Sequence, residues 1–220
     1  MAFLFQQNTK TMKKLFLSLA VVALLASCGG SNDTVEAQDV EATEGGEQGA
    51  HVAYKIDAAA SSVKWAGSKI VGDGHHGSIA VQSGEVHVAD GAVVMGEIVI
   101  DMNTIKEEDA SNVEYAEKLV GHLKSDDFFK VATFPTSKIV VKSVENGNVT
   151  AELTILDVTK QITFPATITV ADDKVNVTAN FSINRTDWGI VYGSGSFTDL
   201  AKDKVIKDEI DFQVNIVANK

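Results

Sequence analysis

Val175-Asn176-Val177-Thr178-Ala179-Asn180-Phe181-Ser182-Ile183 alternates apolar and polar side chains without a break. Successive side chains on a strand point to opposite faces, so this run has one dry face and one wet face. The pattern recurs on both sides of it. Ile162, Phe164, Ala166, Ile168 and Val170 alternate against Thr163, Thr167 and Thr169. Val149, Ala151, Leu153 and Ile155 alternate against Thr150, Glu152 and Thr154, and Ile210, Phe212, Val214 and Ile216 against Asp211, Gln213 and Asn215. Glu145-Asn146-Gly147-Asn148 and Ala171-Asp172-Asp173 supply hairpin turns between these runs. Upstream, the pattern predicts strands over Ala53–Asp57, Ser62–Val71, His76–Val88 and Ala92–Met102. Eight or more antiparallel strands of this kind close into a barrel or pack as a sandwich. Pro165 cannot donate to a ladder, which places an edge or a bulge in its strand.

One segment leaves the two-residue period. Ser111-Asn112-Val113-Glu114 reads as a capping box, with Tyr115 and Leu119 following at helical spacing. The spacing predicts a helix over Asn112–Lys124, supported by Glu114 four residues before Lys118. A second helical turn is expected near Thr198–Lys202.

The N-terminal fifty residues have a different composition. Lys13 and Lys14 precede the apolar run Leu15–Ala26, which is too short for a bilayer span of roughly 20 residues and fits a secretory signal, with Met12 an alternative start. Leu25-Ala26-Ser27-Cys28 resembles the bacterial lipobox, so residues 1–27 are expected to be a lipoprotein signal peptide and Cys28 the lipidated residue. Cys28 is the sole cysteine, which excludes an intrachain disulfide. Residues 28–50 hold Asp33, Glu36, Asp39, Glu41, Glu44 and Glu47 with no basic side chain, and are expected to be an acidic, solvated tether. Asp33-Thr34-Val35 resembles a short O-glycosylation motif of some Gram-negative lipoproteins. The folded domain is then 51–220. Loss of the leader takes the net charge from −11 to about −14, which argues against nucleic acid as a partner and against membrane attachment through basic patches. Attachment is expected through acyl chains on Cys28, in the bacterial cell envelope. Gly29 and Gly30, with no aspartate after the cysteine, fit outer-membrane sorting, with the barrel in the periplasm or at the cell surface.

Several ordered stretches carry a family resemblance. They are Tyr54-Lys55-Ile56-Asp57 with Ser61-Ser62-Val63-Lys64-Trp65, His75-His76-Gly77-Ser78-Ile79 and Ile100-Asp101-Met102-Asn103-Thr104-Ile105. Gly121-His122-Leu123-Lys124-Ser125-Asp126-Asp127-Phe128-Phe129 and Phe134-Pro135-Thr136 follow. Leu153–Lys160 and Ile183-Asn184-Arg185-Thr186-Asp187-Trp188-Gly189 complete the series. In this order and spacing the chain resembles the YceI-like family over nearly all of Tyr54 to Val217. The lipobox and acidic tether depart from it, since many members are plain periplasmic proteins. The resemblance implies an all-β fold: a lipocalin-like antiparallel barrel of about eight strands with one or two short helices. It also implies carriage or storage of a long apolar ligand, a polyisoprenoid or fatty amide, with no cofactor.

The alternation nominates the residues that would line such a cavity: Val63, Trp65, Leu153, Ile155, Phe164, Ile168, Val177, Ala179 and Phe181. These positions equally describe a packed core. Lys69, His76 and His122 are candidates for contact with a polar ligand head. Trp188, Phe128 and Phe129 are candidates for the mouth or the core, and Arg185 with Asp187 for a local turn-stabilising pair. The histidines offer no same-face pair with a carboxylate, so no metal site is expected. Asp101, His122, Asp126 and Asp127 could supply acid–base groups, but no nucleophile elbow, phosphate loop or HExxH motif accompanies them. The alternative to a carrier is an envelope interaction module with a solid core and an acidic surface. A hollow interior separates the two.

Overall fold

Hairpins build the chain outward from short turns. A computed structural model gives the architecture and describes residues 34–40, 50–72, 74–108 and 113–220; Cys28 and the leader lie outside them. The elements in order are β1 (Thr34–Val35), β2 (Gln38–Asp39), β3 (Val52–Ile56), β4 (Ser62–Ser68), β5 (Gly74–Ala89), β6 (Ala92–Glu107), α1 (Val113–Lys124), β7 (Thr136–Glu145), β8 (Asn148–Ile155), β9 (Val158–Val170), β10 (Lys174–Asn184) and β11 (Glu209–Asn219). Asp90-Gly91 and Asn146-Gly147 all have positive φ, the geometry of two-residue hairpins whose twist matches the flanking strands. The β9–β10 turn falls where Ala171-Asp172-Asp173 predicts it, and the buried Tyr54 hydroxyl donates to the Ala171 and Asp172 carbonyls.

The strands from β5 to β11 pair antiparallel in succession, and β3 and β4 share the place between β11 and β5. β9 pairs with β10, so eight positions close a barrel. Register shifts along β5 and β6 mark bulges, which let these two 16-residue strands curve around it. Gly77 permits one close approach: a Cβ there would lie 1.8 Å from the Lys106 carbonyl oxygen and 2.9 Å from the Trp65 ring. The apolar face of the opening stretch turns inward, with Val175, Ala179, Phe181 and Ile183 buried.

Two expectations need correction, and one strand was not foreseen. Thr198–Lys202 is irregular and forms no helix; the second helical turn is a 3₁₀ segment, Arg185–Trp188, capped by the Asn184 side chain accepting from the Thr186 N–H at 3.0 Å. Its signal was the Asn-x-Thr capping chemistry ahead of Gly189, which takes a positive φ. β7 falls in no alternating run, because Ile139, Val140 and Val141 are consecutive and a register shift follows Val141. The second correction concerns the acidic tether. Residues 34–40 do not hang free: β1 pairs parallel with β10, β2 pairs antiparallel with β9, and Val35 is buried in the main hydrophobic cluster.

Candidate functional site

Inward side chains from eight strands enclose a cavity of about 140 Å³ in the barrel. Val63 (β4), Leu153 and Ile155 (β8), Phe164 and Ile168 (β9), and Val177, Ala179 and Phe181 (β10) all line it. Phe164 and Phe181 stack with ring centroids 4.4 Å apart, and Phe212 lies 5.7 Å from Phe181. Ile98, Ile100 and Met102 of β6, Ile139 and Val141 of β7, and Phe212, Val214 and Ile216 of β11 complete most of the wall. The β11 residues were legible in the same alternation that placed the strand. Ser137 and Lys138 are the polar residues among those that line it.

The mouth is a second, wider space of about 750 Å³. Trp65 belongs here rather than to the interior cavity, because its ring lies against Gly77 and its Nε1 donates to the Lys106 carbonyl at 3.2 Å. Helix α1 buries no residue fully but turns Tyr115, Leu119, His122 and Leu123 to this space. Phe129 and Phe212 line both the mouth and the interior, so their rings form the partition between the two. Val191, Tyr192 and Leu200, each partly exposed, form apolar parts of the rim, and Lys69, Lys204 and Lys207 form its cationic parts.

The polar candidates separate. Lys69 and His122 line the mouth; His122 lies 3.1 Å from Asp127 and packs edge-on against Phe128 and Tyr192. His76 is exposed and lies outside both cavities. Its neighbour His75 faces the mouth instead, with Nδ1 at 3.4 Å from Glu107 Oε1 and Nε2 at 3.3 Å from the Tyr115 hydroxyl. Adjacent residues on a strand take opposite faces, and β5 has the register that turns His75 inward. Of the acid–base candidates His122 and Asp127 meet, whereas Asp101 accepts from Asn103 and Asp126 is exposed. Among the described residues no group of three or more His, Cys, Asp or Glu could hold a metal ion.

Trp188 is core, donating from Nε1 to the Leu153 carbonyl at 3.0 Å. Arg185 does not pair with Asp187. Its guanidinium is buried and donates to the carbonyls of Lys207, Ile190 and Ile206 and to Asp208. It thereby ties the loop between the 3₁₀ segment and β11 to the barrel rim. Burial lowers the Arg185 pKa from the ordinary guanidinium value, opposed by Asp208 and Glu209. Burial raises the Asp187 pKa, opposed by Lys160.

Residues 54–218, which hold the barrel from β3 to β11, match the model of the YceI-like domain. The chain belongs to the YceI-like family. No curated protein matches it. Two solved structures share the YceI-like fold of this chain. BcnA of Burkholderia cenocepacia is 22% identical, with 74% of this chain and 99% of BcnA covered and a TM-score of 0.57. A polyisoprenoid binding domain from Saccharophagus degradans, implicated in plant cell wall breakdown, is 17% identical, with 76% of this chain and 97% of that domain covered and a TM-score of 0.56.

Proposed function

We propose that this YceI-like domain carries or scavenges a long apolar molecule of polyisoprenoid or fatty amide type, and does so without catalysis. The observation that carries this reading is the interior cavity walled almost wholly by hydrocarbon. Apolar cavities of this size stay dry and take apolar guests; one of about 150 Å³ accepts benzene. The interior therefore holds the end of a chain, roughly five carbons. At about 0.8 kcal/mol per buried CH₂, that end contributes roughly 4 kcal/mol. The rest of the chain lies past Phe129 and Phe212 in the mouth, where Trp65, Leu119 and Leu123 cover it. Lys69, His75, Tyr115 and His122 offer hydrogen bonds to a polar head. Acylation of Cys28 would hold the domain to an envelope membrane, most simply the outer membrane, where such chains partition.

Titration with cis-parinaric acid, a fluorescent eighteen-carbon fatty acid, tests the reading. Saturable one-to-one binding with transfer of the probe to an apolar environment is expected. A linear, non-saturating signal would favour the interaction module with a closed core.

A further inference from the structure

The barrel wall is incomplete without residues that lie outside the family domain. β9 and β10 pair from Val170↔Val175 to Ala166↔Ala179, and their ladder stops there. The next residue of β9 is Pro165. The Ala166 N–H donates to the Gly147 carbonyl on the β8 side, so the backbone nitrogen of Pro165 faces β10, where it has no hydrogen to give. Beyond this point the two strands present unpaired edges, and such edges recruit another strand. The chain supplies one: Thr34 and Val35 pair with Ser182 and Ile183, and Gln38 and Asp39 pair with Gln161 and Lys160. The slit they cover lies at the level of Phe164 and Phe181, which line the interior cavity.

We propose that Thr34–Val40 is a displaceable strand closing a side slit between β9 and β10, and that a long-chain ligand is exchanged through this slit. The proposal rests on the reading of the cavity as an apolar-chain site. Threading a chain end-on would require Phe129 and Phe212 to move, and both pack against two hydrophobic clusters. The strand is held more lightly. Val35 is its buried anchor, two residues pair on each side, and the exposed Asp39 accepts from Lys160 Nζ at 2.6 Å. That contact lowers the Asp39 pKa. Lifting the strand opens the wall beside Phe164 and Phe181, so a chain can enter the interior cavity from the side.

The test uses the full chain with Cys28→Ser, Gln38→Cys and Gln161→Cys, at positions opposite each other in the β2–β9 pair. The readout is the rate at which bound cis-parinaric acid passes to excess phosphatidylcholine vesicles. Oxidation to the disulfide should slow transfer by about tenfold or more, and reduction should restore it. Val35→Asp, in the otherwise unaltered Cys28→Ser chain, should speed transfer without unfolding the barrel. Equal rates in the oxidised and reduced forms would overturn the slit while leaving the binding site intact. Failure of the two thiols to pair would overturn it as well, since the strand would then not be docked. Absence of bound probe in every form would contradict the cavity reading and the slit together.

Discussion

Ala179→Leu puts a side chain into the cavity that defines the site. Ala179 is buried on β10 between Val214 and Ala166 and lines the interior space. Unfilled volume costs about 24 cal/mol per Å³, so the 140 Å³ void holds roughly 3 kcal/mol that a filled interior would recover. The substitution adds three carbons, worth about 2 kcal/mol at 0.8 kcal/mol each if they enter the void without strain. For a domain of this size that raises the thermal midpoint by about 4–8 °C. The same carbons occupy the place of the ligand's end, so the variant should bind cis-parinaric acid at least about tenfold more weakly, the equivalent of 1.4 kcal/mol. Scanning calorimetry and probe titration on one preparation read both effects. A lower midpoint with unchanged probe affinity would show that position 179 faces a filled core, and the reasoning would fail.

Other substitutions probe the frame around the cavity. Arg185→Met removes the donors that hold the Lys207, Ile190 and Ile206 carbonyls, and urea unfolding should show a loss on the order of 3 kcal/mol. Gly77→Ala would place a methyl group against the Lys106 carbonyl; a loss above about 3 kcal/mol, or failure to accumulate as folded protein, is expected. Asp187 has a folded pKa raised by burial, so its ionised form is the costly one. Stability linked to it is complete below the unfolded value near 3.9 and is lost as pH rises through the raised folded value. Asp187→Asn should therefore raise the thermal midpoint at pH 7, with the gain vanishing at pH 3.

The strand faces could be read from sequence because side chains alternate with a period of two, and a buried face imposes that period locally. Val63, Leu153 and Phe181 needed no tertiary information to be placed inward. β7 was hidden because three consecutive β-branched residues and a bulge erase the alternation. The choice between His75 and His76 depended on which face β5 turns inward at its first residues, which the sequence around Gly74 leaves open. Val35 was hidden for a different reason. It stands among Thr34 and Glu36 with no periodic neighbours, and its burial depends on a gap that Pro165 opens far along the chain. The proline carried a signal of broken pairing, but not the identity of the segment that fills the break. Arg185 was misassigned to Asp187 because sequence proximity pointed there, whereas its carbonyl partners come mostly from a loop some twenty residues later.

Native mass spectrometry of the protein purified without detergent from its own host, followed by organic extraction, tests the central claim most directly. The account predicts a complex heavier than the polypeptide by one apolar molecule, recovered in the extract as a long hydrocarbon chain. A mass equal to the polypeptide and its covalent modifications alone, with an empty extract, would contradict it.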